Sequence, residues 1–133
     1  MNTILKTCLI AFAAAVSLHA AQAQDAAAPK LSYFDEAKIT VNERARAEGY
    51  LRVRITPEKG DAREATIPIS KRESENQIAK NLAVALKAAL GADFDVDRDA
   101  GEHVKIHKSK RGNPNFAVEI TFSAPGFSII LDT

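Results

Sequence analysis

Apolar and polar residues alternate along much of this 133-residue chain. Successive side chains of a strand point to opposite faces of a sheet, so a period of two predicts strands with one buried face. The alternating segments are separated by short polar or glycine-containing stretches, which favours antiparallel pairing. Alternation of this kind occurs in five segments: 51–55, 65–69, 94–96, 104–106 and 116–122.

One segment has the period of a helix instead. Apolar residues recur at spacings of three and four from Ile78 to Leu90, and Gly91 can adopt the left-handed conformation that ends a helix. Ser70 followed by Glu73 matches a capping box, which predicts that the helix begins near Ser70. The chain is therefore predicted to be an α+β protein in which one long helix packs on an antiparallel sheet, in the order ββαβββ.

The N-terminal part of this domain is ambiguous from the sequence. Ala37, Ile39 and Val41 alternate as in a strand, whereas residues 42–48, Asn-Glu-Arg-Ala-Arg-Ala-Glu, suit a helix. An additional N-terminal strand or helix is thus left open.

The first 23 residues have the composition of a secretory signal. Lys6 precedes an apolar run at residues 8–16, and the segment ends in Ala-Gln-Ala, a small-residue pattern that signal peptidase cleaves. The run is about half the ~20 residues that span a bilayer. Residues 1–23 are predicted to be a cleaved signal peptide, with the cut before Gln24. The mature chain is then expected to be periplasmic or secreted and to lack a membrane span.

The mature composition limits the classes of function. Residues 24–32 are small and polar and predict a flexible lead-in, and residues 33–133 predict a single domain. Cys8 is the only cysteine, so the mature domain is free of disulfides. Removal of Lys6 from the 18 basic residues leaves 17, equal to the 17 acidic residues. This balance disfavours nucleic acid as a partner, because nucleic-acid-binding domains usually carry an excess of basic residues.

Residues 93–108, DFDVDRDAGEHVKIHK, predict a hairpin with a charged outer face. The apolar residues of the two strands must share a face, which limits the loops that are allowed. A three-residue loop, Asp99-Ala100-Gly101, meets this condition and puts glycine where a type I turn with a bulge requires it. Val96 then lies opposite Val104.

The predicted register also brings opposite charges together. Such cross-strand pairs contribute roughly 0.2–1 kcal/mol each. We therefore expect the charges of this segment to be neutralised locally, with the next strand pairing Val118 with Ile106. The predicted charge pairs are Arg98 with Glu102, Asp97 with His103, Asp95 with Lys105, and Asp93 with His107.

The charged residues of this hairpin do not match a metal site. An EF-hand loop beginning at Asp93 would need glycine in place of Arg98 and glutamate in place of Val104. His103 and His107 would lie about 13 Å apart along a strand, too far to share one zinc ion. No metal or cofactor is expected.

Two alternative functions stay open. The first is an anion-binding module that recognises lipopolysaccharide or DNA through the basic segment 105–111, although no aromatic residue is interleaved there for base stacking. The basic residues of this segment are Lys105, Lys108, Lys110 and Arg111. The second is a small hydrolase whose carboxylates the sequence does not reveal. Asp97 and His103 resemble two members of a triad, but the sequence places no serine beside them.

The C-terminal segment has apolar residues on both faces. Phe127, Ile129 and Leu131 share one face of the predicted strand, and Ile130 points the other way. Such a strand is either covered on both faces or lies at an edge where another chain can add to the sheet. Pro68, which has no N–H to donate, predicts a different edge strand at 65–69.

The sequence contains none of the common catalytic motifs, such as H-E-x-x-H, G-x-S-x-G or a glycine-rich phosphate loop. The expected function is that of an exported, non-enzymatic module that binds a protein partner, or a second copy of itself, in the cell envelope or outside the cell. The predicted contact residues are Phe127, Ile129, Ile130 and Leu131.

Overall fold

The computed structural model describes residues 30–126 and 128–133. The predicted signal peptide and most of the predicted lead-in lie outside the described residues. A 3₁₀ turn, Gly91–Asp93, follows the helix. The elements in chain order are β1 (Glu36–Val41), β2 (Gly49–Pro57), β3 (Arg63–Ile69), α1 (Glu75–Leu90), β4 (Phe94–Asp99), β5 (His103–Lys108), β6 (Phe116–Ser123) and β7 (Ile129–Asp132).

The strands form two antiparallel sheets. A three-stranded sheet has the order β3-β2-β6, and a four-stranded sheet has the order β4-β5-β1-β7. Backbone hydrogen bonds between Phe34 and Phe116 join the start of β6 to the chain just before β1. The predicted α+β class is confirmed, with the strands divided between two sheets. The ambiguous N-terminal part contains a strand, β1, and residues 42–48 are not helical.

The helix begins later than the capping box predicts. Ser74 is the N-cap, and its hydroxyl accepts a hydrogen bond from the N–H of Gln77 at 3.3 Å. The Ser70 N–H does donate to the Glu73 carboxylate at 2.8 Å, but these two residues close a turn before the helix. The end of the helix was predicted correctly, because Gly91 follows the last helical residue with φ 66°.

One hydrophobic core lies between the helix and the two sheets. The apolar stripe of α1 packs on β3 of the three-stranded sheet and on β1, β4 and β5 of the four-stranded sheet. The inward residues of β1, β2 and β3 are almost fully buried, as their alternation predicts. The largest fully buried side chains are Phe116, Ile39, Leu51, Ile55, Ile78, Leu82, Leu86, Leu90 and Ile106.

The β4–β5 hairpin forms, but its register is two residues away from the predicted one. Val96 lies opposite Ile106, and the turn comprises residues 100–102. The predicted Val96–Val104 pairing is therefore wrong, although the apolar residues still share one face. A shift of two residues preserves the alternation, so the sequence pattern cannot distinguish the two registers. Ala100 and Gly101 both have positive φ, 42° and 80°.

The charge pairs of the hairpin change with this register. Lys105 lies opposite Asp97 and forms its ion pair with Glu36 of β1, at 3.0 Å. His107 lies 3.6 Å from the Asp95 carboxylate and 3.9 Å from that of Asp97. Charged residues of the hairpin thus do lie beside opposite charges on the same or the neighbouring strand, but not in the predicted combinations.

The predicted partner of β6 is also wrong. β6 pairs with β2, where Val118 lies opposite Ile55, and β5 pairs with β1 instead. The β2–β6 register shifts between Arg52 and Val53, which leaves Thr121 as an extra residue in β6. This bulge turns Phe122 to the outer face, although simple alternation places it inside.

Candidate functional site

The predicted partner-binding segment forms β7, at an edge of the four-stranded sheet. Among the described residues β7 pairs with β1 alone. Ile129 and Leu131 lie opposite the buried residues Val41 and Ile39 and are half-buried, whereas Ile130 points outward and is 44% exposed. Within residues 30–126 and 128–133, β7 is thus an edge strand rather than the central or helix-covered strand that the sequence also allows. Phe127 lies outside the described residues.

The outer edge of β7 offers backbone groups to an incoming strand. In an antiparallel pair, alternate residues point both their N–H and C=O toward the same neighbour. The N–H of Asn42 donates to the C=O of Ser128 at 3.0 Å, so Ser128 faces β1. By alternation Ile130 faces β1 as well, while Ile129 and Leu131 direct their N–H and C=O groups away from it.

Ile130 is an apolar side chain in polar surroundings. Thr40 lies opposite it on β1, and the Thr40 hydroxyl is 2.9 Å from Nδ1 of His103. On the same outer face, Lys38 forms an ion pair with Asp132 at 3.5 Å. The polar groups of these neighbours are therefore engaged with one another, and none of these side chains covers Ile130.

A surface cavity of about 440 Å³ lies at the C-terminal end of β7. Its walls are residues 34–38 of the β1 segment together with Asp132 and Thr133. Phe34 directs its backbone groups toward Phe116 on the β7 side of β1, so Glu36, two residues later, points to the same side. The edge that is accessible to another chain thus continues past β7 to the Phe34–Phe116 bridge.

The four residues of the predicted anion-binding segment are not brought together. Lys105 faces outward and pairs with Glu36, whereas Lys108 has the opposite orientation on β5 and its ammonium donates to Oδ1 of Asn115 at 2.9 Å. Lys110 and Arg111 are exposed on the following loop. Two of the four cations are therefore engaged by other side chains.

The residues considered for a hydrolase also occupy different positions from those predicted. Asp99, rather than Asp97, lies opposite His103. His103 contacts Thr40, and its Nε2 is 3.9 Å from the Glu102 carboxylate, which is beyond hydrogen-bonding distance. Neither Thr40 nor His103 lines any of four surface cavities of about 220–500 Å³ formed by the described residues.

Sequence reasoning missed an aromatic cluster on the outer face of the three-stranded sheet. The rings of Tyr50 and Phe122 stack with centroids 4.0 Å apart, and the Arg52 guanidinium lies 5.4 Å from the Tyr50 ring centroid. Both rings are more than one-third exposed. Tyr50 lies two residues before the outward Arg52 on β2, so alternation predicts that it also points outward. Only the bulge in β6 brings Phe122 to the same face.

Within residues 30–126 and 128–133, no helix combines the length and apolar character of a membrane span. In the same residues, no three histidine, cysteine, aspartate or glutamate side chains are grouped so that they could hold a metal ion. No protein-family model matches the sequence, and a search of curated proteins found no significant match.

Proposed function

We propose that this chain is a non-enzymatic binding module that receives an extended segment of a protein partner at the open edge of β7. The observation that carries the proposal is the position of Ile130, an exposed apolar side chain on an edge strand whose neighbours, Ile129 and Leu131, direct backbone groups outward. Strand addition uses such groups for affinity and alternate side chains for specificity.

The geometry of β7 favours a partner segment with a particular length and side-chain pattern. A strand that pairs with the four residues of β7 would be about 14 Å long at ~3.4 Å per residue. Its inward side chains would lie beside the half-buried Ile129 and Leu131 and would be apolar. Its outward side chains would lie beside Ile130 and Asp132, so an apolar residue flanked by a basic one suits that face.

The same proposal includes export. The composition of residues 1–23 supports it, and a partner of the cell envelope or of the extracellular space follows from that location. A second copy of the chain is one protein that would meet these requirements.

The proposal is tested with Ile130→Lys, which puts a charge on the open edge without removing a backbone hydrogen bond. The matched control is Val84→Lys, which makes the same change at a 64% exposed site on α1. Wild type and V84K should retain the same protein from an envelope extract in a stoichiometric complex, and I130K should lose it. Light scattering of the purified protein identifies the case in which the partner is a second copy.

Hydrogen exchange then locates the contact. The amides of Ile129 and Leu131 should become protected in the complex, because they donate to the added strand. Retention of the partner by I130K, or protection confined to other strands, would contradict the proposal. A strictly monomeric wild type that retains no envelope protein would contradict it as well.

A further inference from the structure

A basic cleft lies between the loop after β1 and the turn before α1. It is a surface cavity of about 500 Å³, separate from the cavity beside β7. Four of its six lining residues are basic, although the mature chain as a whole is neutral. The lining residues are Glu43, Arg44, Ala45, Arg46, Lys71 and Arg72.

Backbone hydrogen bonds hold the two walls of the cleft together. The Ala45 N–H donates to the Glu73 C=O at 3.0 Å, and the Arg72 N–H donates to the Ala45 C=O at 2.8 Å. Ala45 is 2% exposed and belongs to the hydrophobic core. The cleft is therefore attached to the rigid part of the molecule.

Arg72 has a strained backbone. Its φ is 69°, in the left-handed region, which is unfavourable for a residue with a side chain. The hydrogen bond to Ala45 maintains this conformation. Strain of this kind at a polar cleft is a feature of binding sites, where it holds a side chain in a fixed direction.

The positive charge of the cleft is poorly neutralised. Glu43 is its only acidic lining residue, and it pairs with Arg46 at 3.4 Å. The nearby Glu73 uses its carboxylate oxygens to accept hydrogen bonds from the Ser70 N–H and the Asn81 amide. In the described part of the chain, no carboxylate forms an ion pair with the other three cations, Arg44, Lys71 and Arg72.

We propose that this cleft binds a phosphate group. Guanidinium groups present parallel N–H donors that match the oxygens of phosphate, and an ammonium adds a further charge-assisted donor. The volume exceeds that of a phosphate ion, so the cleft has room for part of the molecule that carries it. That molecule is either a small soluble phosphate ester or the headgroup of an anionic phospholipid. The site uses none of the residues of the β7 edge and is independent of the function proposed above.

The probes are sodium pyrophosphate and vesicles that contain phosphatidylglycerol, each added to the purified protein at low ionic strength. The test variant combines Arg72→Gly with Lys71→Gln. Glycine accepts φ 69° without strain, so the fold should persist, and a thermal unfolding scan verifies this. The matched control combines Lys110→Gln with Arg111→Gln and makes the same change of charge on the exposed loop.

Wild type should bind at least one of the two probes saturably. Loss of two charge-assisted contacts should weaken that binding about tenfold or more, whereas the loop variant should stay within about twofold of wild type. Binding of pyrophosphate alone identifies a small soluble ester, and binding of phosphatidylglycerol vesicles but not of phosphatidylcholine vesicles identifies a lipid headgroup.

Absence of saturable binding to both probes would overturn the proposal, as would an equal loss of affinity in the loop variant. The Ile130→Lys variant should keep the phosphate affinity of wild type. Failure of the β7 proposal is thereby distinguishable from failure of this one.

Discussion

The β3 and β7 strands are both edges of antiparallel sheets, but only one of them is protected. β3 is closed to addition at Pro68, which lies opposite Tyr50. Tyr50 directs its C=O toward Ala124 on the β6 side, so Pro68 faces the open side of β3, where it has no N–H to offer. β7 carries an exposed isoleucine and two outward N–H groups instead. Natural edge strands usually have proline, charge or a cover. β7 has no proline, and its one charged residue, Asp132, lies at its C-terminal end, so Ile129, Ile130 and Leu131 lack this protection and indicate a site of association.

The two edges also differ in what covers their inner faces. α1 packs on β3, and the inward residues of β3, such as Ile67, are nearly fully buried. Ile129 and Leu131 of β7 are only half-buried. The edge that is open to another chain thus also has apolar side chains that an added strand would cover further.

The largest expected effect tests this difference in cover. Ile67→Ala should lower the free energy of unfolding by about 2–5 kcal/mol, because it leaves a cavity beneath the helix. Leu131→Ala should cost less than about 2 kcal/mol, because part of that side chain is already in contact with water. Urea unfolding of the monomer measures both. Equal losses of unfolding free energy in the two variants would show that β7 is covered as completely as β3.

A smaller effect is expected from removing the protection of β3. Pro68→Val restores an outward N–H and adds a residue that favours strands, so the protein should associate with increasing concentration. Its free energy of unfolding should change by less than about 1 kcal/mol, since Pro68 is exposed. Light scattering over a concentration series detects the association.

Thr66→Val is the control for Pro68→Val. It adds apolar surface to the same outward face of β3 but leaves Pro68 in place. If T66V associates as strongly as P68V, exposed apolar surface rather than the missing N–H is what distinguishes the two edges.

The sequence predicts which residues of each strand are buried better than it predicts which strands are neighbours. The inward residues of β1, β2 and β3 follow directly from alternation, because burial of one face requires it. The pairing partners of the strands do not follow from alternation. β6 was predicted beside β5, but the alternation of Val118 and Ile120 suits either sheet. The division into two sheets depends on packing around α1, which no local pattern contains.

The sequence does not predict the β4–β5 register or the β6 bulge either, for a related reason. The β4–β5 hairpin could shift by two residues without turning any apolar side chain outward, and its turn packs against Asn76 at the start of α1. A Cβ at Gly101 would lie 2.7 Å from Oδ1 of Asn76. That contact joins two segments distant in sequence. The β6 bulge likewise exposes Phe122 through its pairing with β2.

The candidate site was predicted in part. The two-faced apolar character of residues 129–131 is visible in the sequence, and the strand forms as expected. That β7 lies at an edge depends on the strand order and could not be read from those residues. The basic cleft was missed because Arg44 and Arg72 lie on separate loops, joined only through the backbone of Ala45.

The smallest expected effect concerns the ion pairs at the two edges. Arg54 donates two hydrogen bonds to one carboxylate oxygen of Glu64, at 2.9 and 2.7 Å, between β2 and β3. Lys38 and Asp132 make a single contact of 3.5 Å between β1 and β7. All four side chains are more than one-third exposed, so water screens both pairs.

Double-mutant cycles to alanine measure the two coupling energies by urea unfolding. The Arg54–Glu64 pair should couple by about 0.5–1 kcal/mol, because the guanidinium holds the carboxylate in one geometry. The Lys38–Asp132 pair should couple by less than about 0.3 kcal/mol, since a flexible ammonium gains little from one screened contact. Added salt should reduce both values. A stronger coupling at Lys38–Asp132 would mean that β7 is held to its sheet by charge, and the contrast between a protected and an open edge would then have to include that electrostatic contribution.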